Sequence, residues 1–336
     1  MPISFDDTLV VGISSTALFD LSETDKVYRE ARKSLGDEKA IEKYRNIMFE
    51  TENDPLNAGT GMAVVKALLE LNKHNEDPAS PLVQIVVMSR NSPETGMRIL
   101  NNIRTSQLDI PRTVFTGGET VTDYLTAYDV DLFLTTDDQD AQKVADSKAC
   151  AVALLKDPPK KSEEDNLKQV RLAFDGDAVL FDEESELRYK TKGLKDFLEN
   201  EKKLEDVPME PGPFANFLKK LARLQERLPF KMELSPIRIA IVTARNSPAD
   251  IRVIKTLRDW GVYADAAFFM GGVEKTQVLK AFKPHIFFDD QDTHLDKASD
   301  DVPSGKVLYE TDSKLANLHN NSPVVPKKRK KVFGLF

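Results

Sequence analysis

The sequence predicts an α/β fold in which one three-layer domain, a parallel sheet between helices, occurs twice in tandem. Three observations lead there. Short apolar runs fit for buried strands alternate with helix-length segments, the pattern of parallel βαβ units. Several of these runs end abruptly in polar residues, as strands do at the ligand-binding edge of an open parallel sheet. The order of runs and polar endings then repeats, at offsets between 152 and 162 residues.

The C-terminal copy carries the fuller set of polar endings. Residues 171–174 lead into Asp175 and Asp177, separated by Gly176; taken alone, an Asp-Gly step is equally the mark of a tight turn. Residues 237–242 end in Thr243-Ala244-Arg245-Asn246-Ser247, and residues 266–270 are followed by Gly271-Gly272 and Lys275. Residues 286–288 end in Asp289-Asp290-Gln291-Asp292, and a fifth strand is expected over 306–309. Parallel strands would place these endings on one edge. An acid pair, a hydroxyl, a lysine and a second acid pair would then converge. These are the parts of a Mg²⁺-dependent phosphoryl-transfer site, because that cation takes oxygen ligands and a phosphoryl group needs its charge neutralised.

With these motifs the chain resembles the haloacid dehalogenase superfamily. The strings FDGDAVLF, IVTAR, LRDWG and PHIFFDDQ resemble the cytosolic 5'-nucleotidase type I family, and the resemblance runs over about residues 8–308. It implies Rossmann-like haloacid-dehalogenase domains with helical cap insertions. It also implies hydrolysis of a nucleoside 5'-monophosphate, AMP or IMP, through an aspartyl-phosphate. In that scheme Asp175 is the nucleophile and the Asp177 carboxylate the proton donor and acceptor. Thr243, the amide at Ala244 and Lys275 bind the phosphoryl oxygens, and Lys275 keeps Asp175 ionised. Asp175, the Asp177 carbonyl and one or both of Asp289 and Asp290 hold Mg²⁺. Other readings stay open at four places. Lys275 also fits an exposed lysine at a helix start. Asp292 either supports the metal site from behind or caps the following helix. Arg245 and Asn246 either touch substrate or serve a structural role, since Arg90 and Asn91 recur in the first copy. Phe181, Phe214, Phe217 and Tyr124 are stacking candidates for a base, against the ordinary reading of aromatic core.

In the first copy, residues 8–13 run toward Leu18-Phe19-Asp20, which answers Leu180-Phe181-Asp182. Residues 88–93 answer 243–248, residues 115–118 answer 269–272, and residues 136–140 answer 288–292. Aligned on Leu-Phe-Asp, Ile13, Ser15, Met88 and Val121 stand where Asp175, Asp177, Thr243 and Lys275 stand. Aligning the preceding strand instead pairs Thr135 and Thr136 with Asp289 and Asp290. Residues 1–156 are therefore expected to be catalytically dead, their glycines and hydroxyls serving as a ligand site, a wall of the active cleft or scaffold. A charged, proline-bearing linker is expected over 157–168. The catalytic domain would span 169–312, with a helical insertion at about 183–236, where Phe214, Phe217, Leu218, Leu221 and Leu224 recur at helical spacing. A disordered basic tail is expected over 313–336.

Composition limits the function classes. Hydrophobic residues at 40% and charged residues at 30% are those of a globular protein. No apolar run reaches the roughly 20 residues of a membrane helix, and the start lacks the basic opening of a signal peptide. The single cysteine, Cys150, excludes an intramolecular disulfide and reads as a packed residue. The four histidines show no zinc spacing, and His285 reads as structural. Net charge is −8, of which Lys327–Lys331 contribute +5, leaving −13 on the remainder. An acidic body argues against a broad nucleic-acid surface but not against a small phosphorylated ligand. The basic run resembles a nuclear localisation signal for an import receptor, or is a solvated tail. The expected place is the cytoplasm, with the nucleus as a second, and a homo-oligomer is left open. The rival functions are a phosphatase for another small phosphate ester and a non-enzymatic interaction protein.

Overall fold

Ten apolar runs form strands among the described residues: β1 (Leu9–Ile13), β2 (Val83–Ser89), β3 (Arg112–Phe115), β4 (Leu132–Thr135), β5 (Ala151–Leu155), β6 (Val170–Phe174), β7 (Ile237–Thr243), β8 (Ala266–Phe269), β9 (Ile286–Asp289) and β10 (Ser304–Val307). The structure, a computed structural model, describes residues 5, 7–75, 77, 80–160, 169–228 and 235–321. All ten strands share one sheet, in the order β3-β2-β1-β4-β5-β10-β9-β6-β7-β8. Read outward from the centre, the two halves have the same strand order. Strands β1, β2, β4, β6, β7 and β9 are buried almost throughout, because helices cover both faces.

Within each half the strands are parallel, but β5 and β10 join antiparallel, with Gly305 opposite Leu155 and Val307 opposite Ala153. The carboxyl ends of the two halves therefore lie at opposite edges of the sheet. The hydroxyls that follow β1, β2 and β4 cannot be a wall of a cleft at the ends of β6, β7 and β9. They bond to one another instead: Ser14 Oγ lies 3.1 Å from Thr16 Oγ1, and Thr136 Oγ1 donates to Thr16 Oγ1 at 2.6 Å.

The sheet register also moves the alignment at the first motif. Strands β1 and β6 are each five residues long and are followed by Ser14 and Asp175. Ser14, rather than Ile13, thus stands in the place of Asp175. The turn that follows is a four-residue helix, Ser15–Leu18, in one half and a wider π-type turn, Gly176–Leu180, in the other. That extra residue shifts the frame by one before Leu-Phe-Asp. Likewise Ser89 and Thr135 end β2 and β4 where Thr243 and Asp289 end β7 and β9.

Strand β10 starts two residues before the expected position. Its Ser-Gly opening reads as a turn, yet Gly305 is where the halves crowd together. A Cβ there would lie 3.0 Å from Ala153 Cβ, 3.2 Å from Leu155 Cδ2 and 3.3 Å from Phe288 Cδ1. Charges reinforce this joint. Lys156 Nζ and Lys306 Nζ reach Asp292 at 2.6 and 2.5 Å, and Lys156 also reaches Asp296 at 3.1 Å. Asp292 is thereby neither a helix cap nor a support of the acid pair, but ties the helix Asp292–Ala298 to the first half.

The insertion expected at about 183–236 contains the helices Glu184–Lys203 and Ala215–Arg227. Phe181, Phe214 and Phe217 are fully buried in the core, Phe214 with its ring 4.8 Å from that of Phe288. Tyr124 lies on the helix Thr122–Leu125 beyond β3, at the other edge of the sheet. None of the four is placed to stack on a base at the C-terminal half's edge. His285 is structural as expected, its Nδ1 accepting from the Arg171 amide at 3.0 Å. Cys150 is packed, and burial pushes its thiol up to about 12.

Part of the expected tail is helical. In Lys314–Asn321 the Leu315 side chain is buried, and Glu183 accepts from the amides of Lys314 and Leu315 at 3.0 and 3.3 Å. A carboxylate on a helix's first amides and one buried anchor order this segment despite its polar sequence. The basic run Lys327–Lys331 and residues 161–168 of the expected linker lie outside the described residues.

Gly305→Val should overpack the joint and cost about 1–3 kcal/mol. Urea denaturation would show this as a lower midpoint, and an unchanged midpoint would contradict the packing described here.

Candidate active site

Strand β6 ends with Phe174 opposite Ile241 and Phe288, just short of the ends of β7 and β9, so Asp175 is carried to the sheet edge between Thr243 and Asp289. The Asp175 amide donates to Phe288 O at 2.8 Å, which continues the β6–β9 ladder by one residue and fixes the side chain's origin. Its Oδ1 accepts from the Gly176 amide at 2.7 Å. A Cβ on Gly176 would lie 3.3 Å from Thr243 Oγ1, so glycine lets the turn pass beside the end of β7.

Lys275 reaches the same point from β8. Gly271 and Gly272, with φ of 56° and 83°, turn the chain back so that Lys275 opens the helix Thr276–Phe282. Its ammonium is buried and donates to Asp175 Oδ2 at 2.8 Å and to Asp289 Oδ2 at 2.7 Å. Lys275 is thus not an exposed helix-start lysine. Asp289 also accepts from the Gln291 amide at 2.8 Å and lies 3.0 Å from His294 Nδ1. Asp290 Oδ2 accepts from the Tyr309 hydroxyl, and Asp290 Oδ1 is buried with no partner. The structure therefore gathers Asp175, Thr243, Lys275, Asp289 and Asp290, with Ala244 exposed at the same edge.

The electrostatics follow from three buried carboxylates around one cation. Burial, with Asp289 adding to it and Lys275 holding it back in part, pushes Asp175 up to about 7. Burial and then the charges of Asp289 and Asp175 drive Asp290 well above the usual carboxylate range. Burial would likewise lift Asp289, but Lys275 and His294 outweigh it and hold this carboxyl low. For Lys275, burial opposes the charge and the two carboxylates more than restore it, so the amine stays protonated.

Asp177 is held separately. Arg245 grips it with both fork nitrogens, Nε to Oδ2 at 2.8 Å and Nη2 to Oδ1 at 2.6 Å. The same guanidinium donates through Nη1 to Glu201 at 2.5 Å, and Glu201 also accepts from Arg252 and Ser185, each at 3.0 Å. Arg245 is thus occupied by these two carboxylates. Glu201 belongs to the insertion helix Glu184–Lys203, whose other end touches the site through Gln291 and Glu186, 3.2 Å apart. Asp177 is followed by Ala178 at φ 59°, a left-handed conformation that costs a non-glycine residue about 1–2 kcal/mol. Sequence reading missed Glu201, Arg252, His294 and Tyr309, since none of them lies in a polar strand ending.

The donor set suits a cation. Asp175, Asp289 and His294 each offer a ligand atom, all within 4.8 Å of one another. All three are engaged already, Asp175 and Asp289 by Lys275, and Asp289 and His294 by each other. The unpartnered oxygen of Asp290, buried beside two further carboxyls, is the atom that a hard cation would satisfy.

The family model for 5'-nucleotidases matches residues 1–314. The chain belongs to the 5'-nucleotidase family. Among its relatives is the Homo sapiens protein named cytosolic 5'-nucleotidase 1B, 36% identical over 298 residues, which are 87% of this chain and 47% of that protein. The chain thus spans about half the length of that relative. No solved structure matches it. The family match covers both halves of the sheet, and with them every residue of the candidate site described above. No helix among the described residues is long and apolar enough to cross a membrane.

Two outcomes follow. Glu201→Ala strands Arg252 and half of Arg245 in a buried site, and should cost about 3 kcal/mol in urea denaturation; a loss below about 1 kcal/mol would contradict the network. The second concerns pH. The folded protein raises the Asp175 carboxyl from 3.8 to about 7, so the native state binds this proton more tightly than the unfolded chain. Its contribution is fully favourable below about pH 4 and is lost as pH rises through 7. Without added metal, Asp175→Asn should therefore gain melting temperature relative to wild type between pH 4 and 8. A constant difference would contradict the raised value.

Proposed function

We propose that the C-terminal half is a Mg²⁺-dependent 5'-nucleotidase of the haloacid-dehalogenase type. It would release phosphate from a nucleoside 5'-monophosphate through a phosphorylated Asp175. The observation that carries this reading is the Asp175–Lys275–Asp289 bridge at a strand edge, with the unpartnered Asp290 oxygen beside it. Family membership supports a nucleotide substrate, and the resemblance points to AMP or IMP. The shared strand order supports a tandem duplication in which residues 1–156 lost the chemistry, with the insertion helices serving as caps. The relative's name supports a place in the cytosol.

Asp175, the Asp177 carbonyl and Asp290 would hold Mg²⁺, while Asp289 fixes Lys275. The bound ion supplies positive charge to the phosphoryl oxygens. Asp175 attacks phosphorus through a carboxylate oxygen and the bond to the 5' oxygen breaks. The Asp177 carboxyl gives its proton to that oxygen, and the nucleoside leaves. Water then attacks phosphorus, Asp177 takes its proton, and Asp175 is freed with phosphate. Arg245 takes two of the roughly four lone-pair positions on the Asp177 carboxylate, which fixes its orientation and leaves the others for this proton. Lys275 favours the ionised form of Asp175 against its burial and, with Thr243 and the amide at Ala244, neutralises the phosphoryl oxygens.

Phosphate release from a panel of phosphomonoesters, with and without Mg²⁺, tests the reading. Nucleoside 5'-monophosphates should be preferred, excess chelator should abolish turnover, and Mg²⁺ should restore it. Asp175→Asn should lose at least a thousandfold in kcat while staying folded. Equal rates on sugar phosphates would favour a general phosphatase, and turnover within tenfold of wild type in Asp175→Asn would remove it as nucleophile.

A further inference from the structure

The first half keeps the cations of a buried ion network and lacks its carboxylate. Both halves carry the same kinked helix pair. Gly36, at φ 84° and ψ 172°, separates Ser22–Leu35 from Asp37–Glu50, and Gly193, at φ 83° and ψ 175°, kinks Glu184–Lys203. Eight residues beyond these glycines stand Tyr44 and Glu201. In the helices after β2 and β7, the buried residues Arg98, Ile99, Asn102 and Ile103 answer Arg252, Val253, Thr256 and Leu257. Arg98 therefore takes the place of Arg252, and Tyr44 that of Glu201.

What the substitution leaves behind is unbalanced. The Tyr44 hydroxyl donates to Asn91 Oδ1 at 3.2 Å, so it offers Arg98 no negative charge. Arg98 is 8% exposed, its Nε is buried without an acceptor, and among the described residues it has no ion-pair partner. Asp54 acts on it only through space, and burial pulls its guanidinium below the usual range. Asn91 Nδ2, beside the Tyr44 contact, and Nε of Arg90, the residue before it, are also buried donors without acceptors. Arg90 pairs with Asp140 through another nitrogen and is 34% exposed, which opens the group to solvent. Further carboxyls act on this neighbourhood: Asp25 on Tyr44, with Arg29 acting on it in turn, and Asp137 on both Arg90 and Asp25.

We propose that Arg98, Asn91 and Arg90 form a binding site for a small oxyanion, a carboxylate or phosphate group, which fills the role that Glu201 fills in the other half. Two charged forks and an amide match the several lone pairs of such a group. The site lies at the sheet edge opposite the acid cluster, and the inference does not depend on the activity proposed for that cluster.

The test compares wild type, Arg98→Gln and Tyr44→Glu by isothermal titration with inorganic phosphate, and by melting in phosphate, acetate or chloride at equal ionic strength. One phosphate site of wild type should weaken at least tenfold in Arg98→Gln, whatever binds at Lys275. Tyr44→Glu supplies the missing carboxylate from the chain itself. It should melt higher than wild type in chloride, by about 2 °C, and lose the same phosphate site. Stabilisation by acetate as well as phosphate would identify a general oxyanion site, and stabilisation by phosphate alone a phosphate site. Equal phosphate binding in all three proteins, or equal melting of wild type in the three salts, would overturn the proposal. Should Arg98→Gln fail to fold, Tyr44→Glu decides by the same readouts.

Discussion

One buried ammonium ion makes the rest of the site possible. Three carboxyls converge at the ends of β6 and β9, and without Lys275 between Asp175 and Asp289 their repulsion and desolvation would favour neutral acids. Lys275 does not balance the whole cluster. Asp289 is held ionised, Asp175 is left near neutrality in its preference, and Asp290 is driven toward the protonated form. The fold thus stores an electrostatic demand at one edge, which in the proposed function a divalent cation and a phosphoryl group would meet together.

Comparison of the halves shows how one scaffold carries charge in one place and hydroxyls in another. Strand ends that deliver Asp175, Thr243 and Asp289 deliver Ser14, Ser89 and Thr135 in the first half. Ser14, Thr16 and Thr136 satisfy one another and need neither cation nor anion. Because β5 and β10 pair antiparallel, these two edges face opposite ways, and the halves meet at the joint at Gly305, at the Lys156–Asp292–Lys306 bridge and at further contacts such as Lys220–Asp131 and Gln142–Tyr309.

Much of this was legible in the sequence because strand ends are local. An apolar run that stops at Asp175, Thr243 or Asp289 announces both a strand and its edge, and Gly271-Gly272 announces the turn that returns Lys275. The frame shift before Leu-Phe-Asp was not legible, since a one-residue widening of a turn leaves the flanking motif intact. Nor was the capture of Arg245 by Asp177 and Glu201, which depends on how an insertion helix docks. His294 and Tyr309 reach the acid pair from the following helix and from beyond β10, positions that no spacing rule selects. The antiparallel joint was hidden too, because the strand pattern predicts neighbours within a half and says nothing of which edges meet.

The central claim is that Asp175, ionised beside Lys275, is the atom donor to phosphorus. Borohydride added during turnover of a nucleoside 5'-monophosphate reduces an acyl phosphate to the alcohol, and peptide mass spectrometry locates the reduced residue. The account predicts reduction at Asp175 that requires both substrate and Mg²⁺. Sustained turnover with Asp175 unmodified, or reduction at another carboxylate, would contradict it.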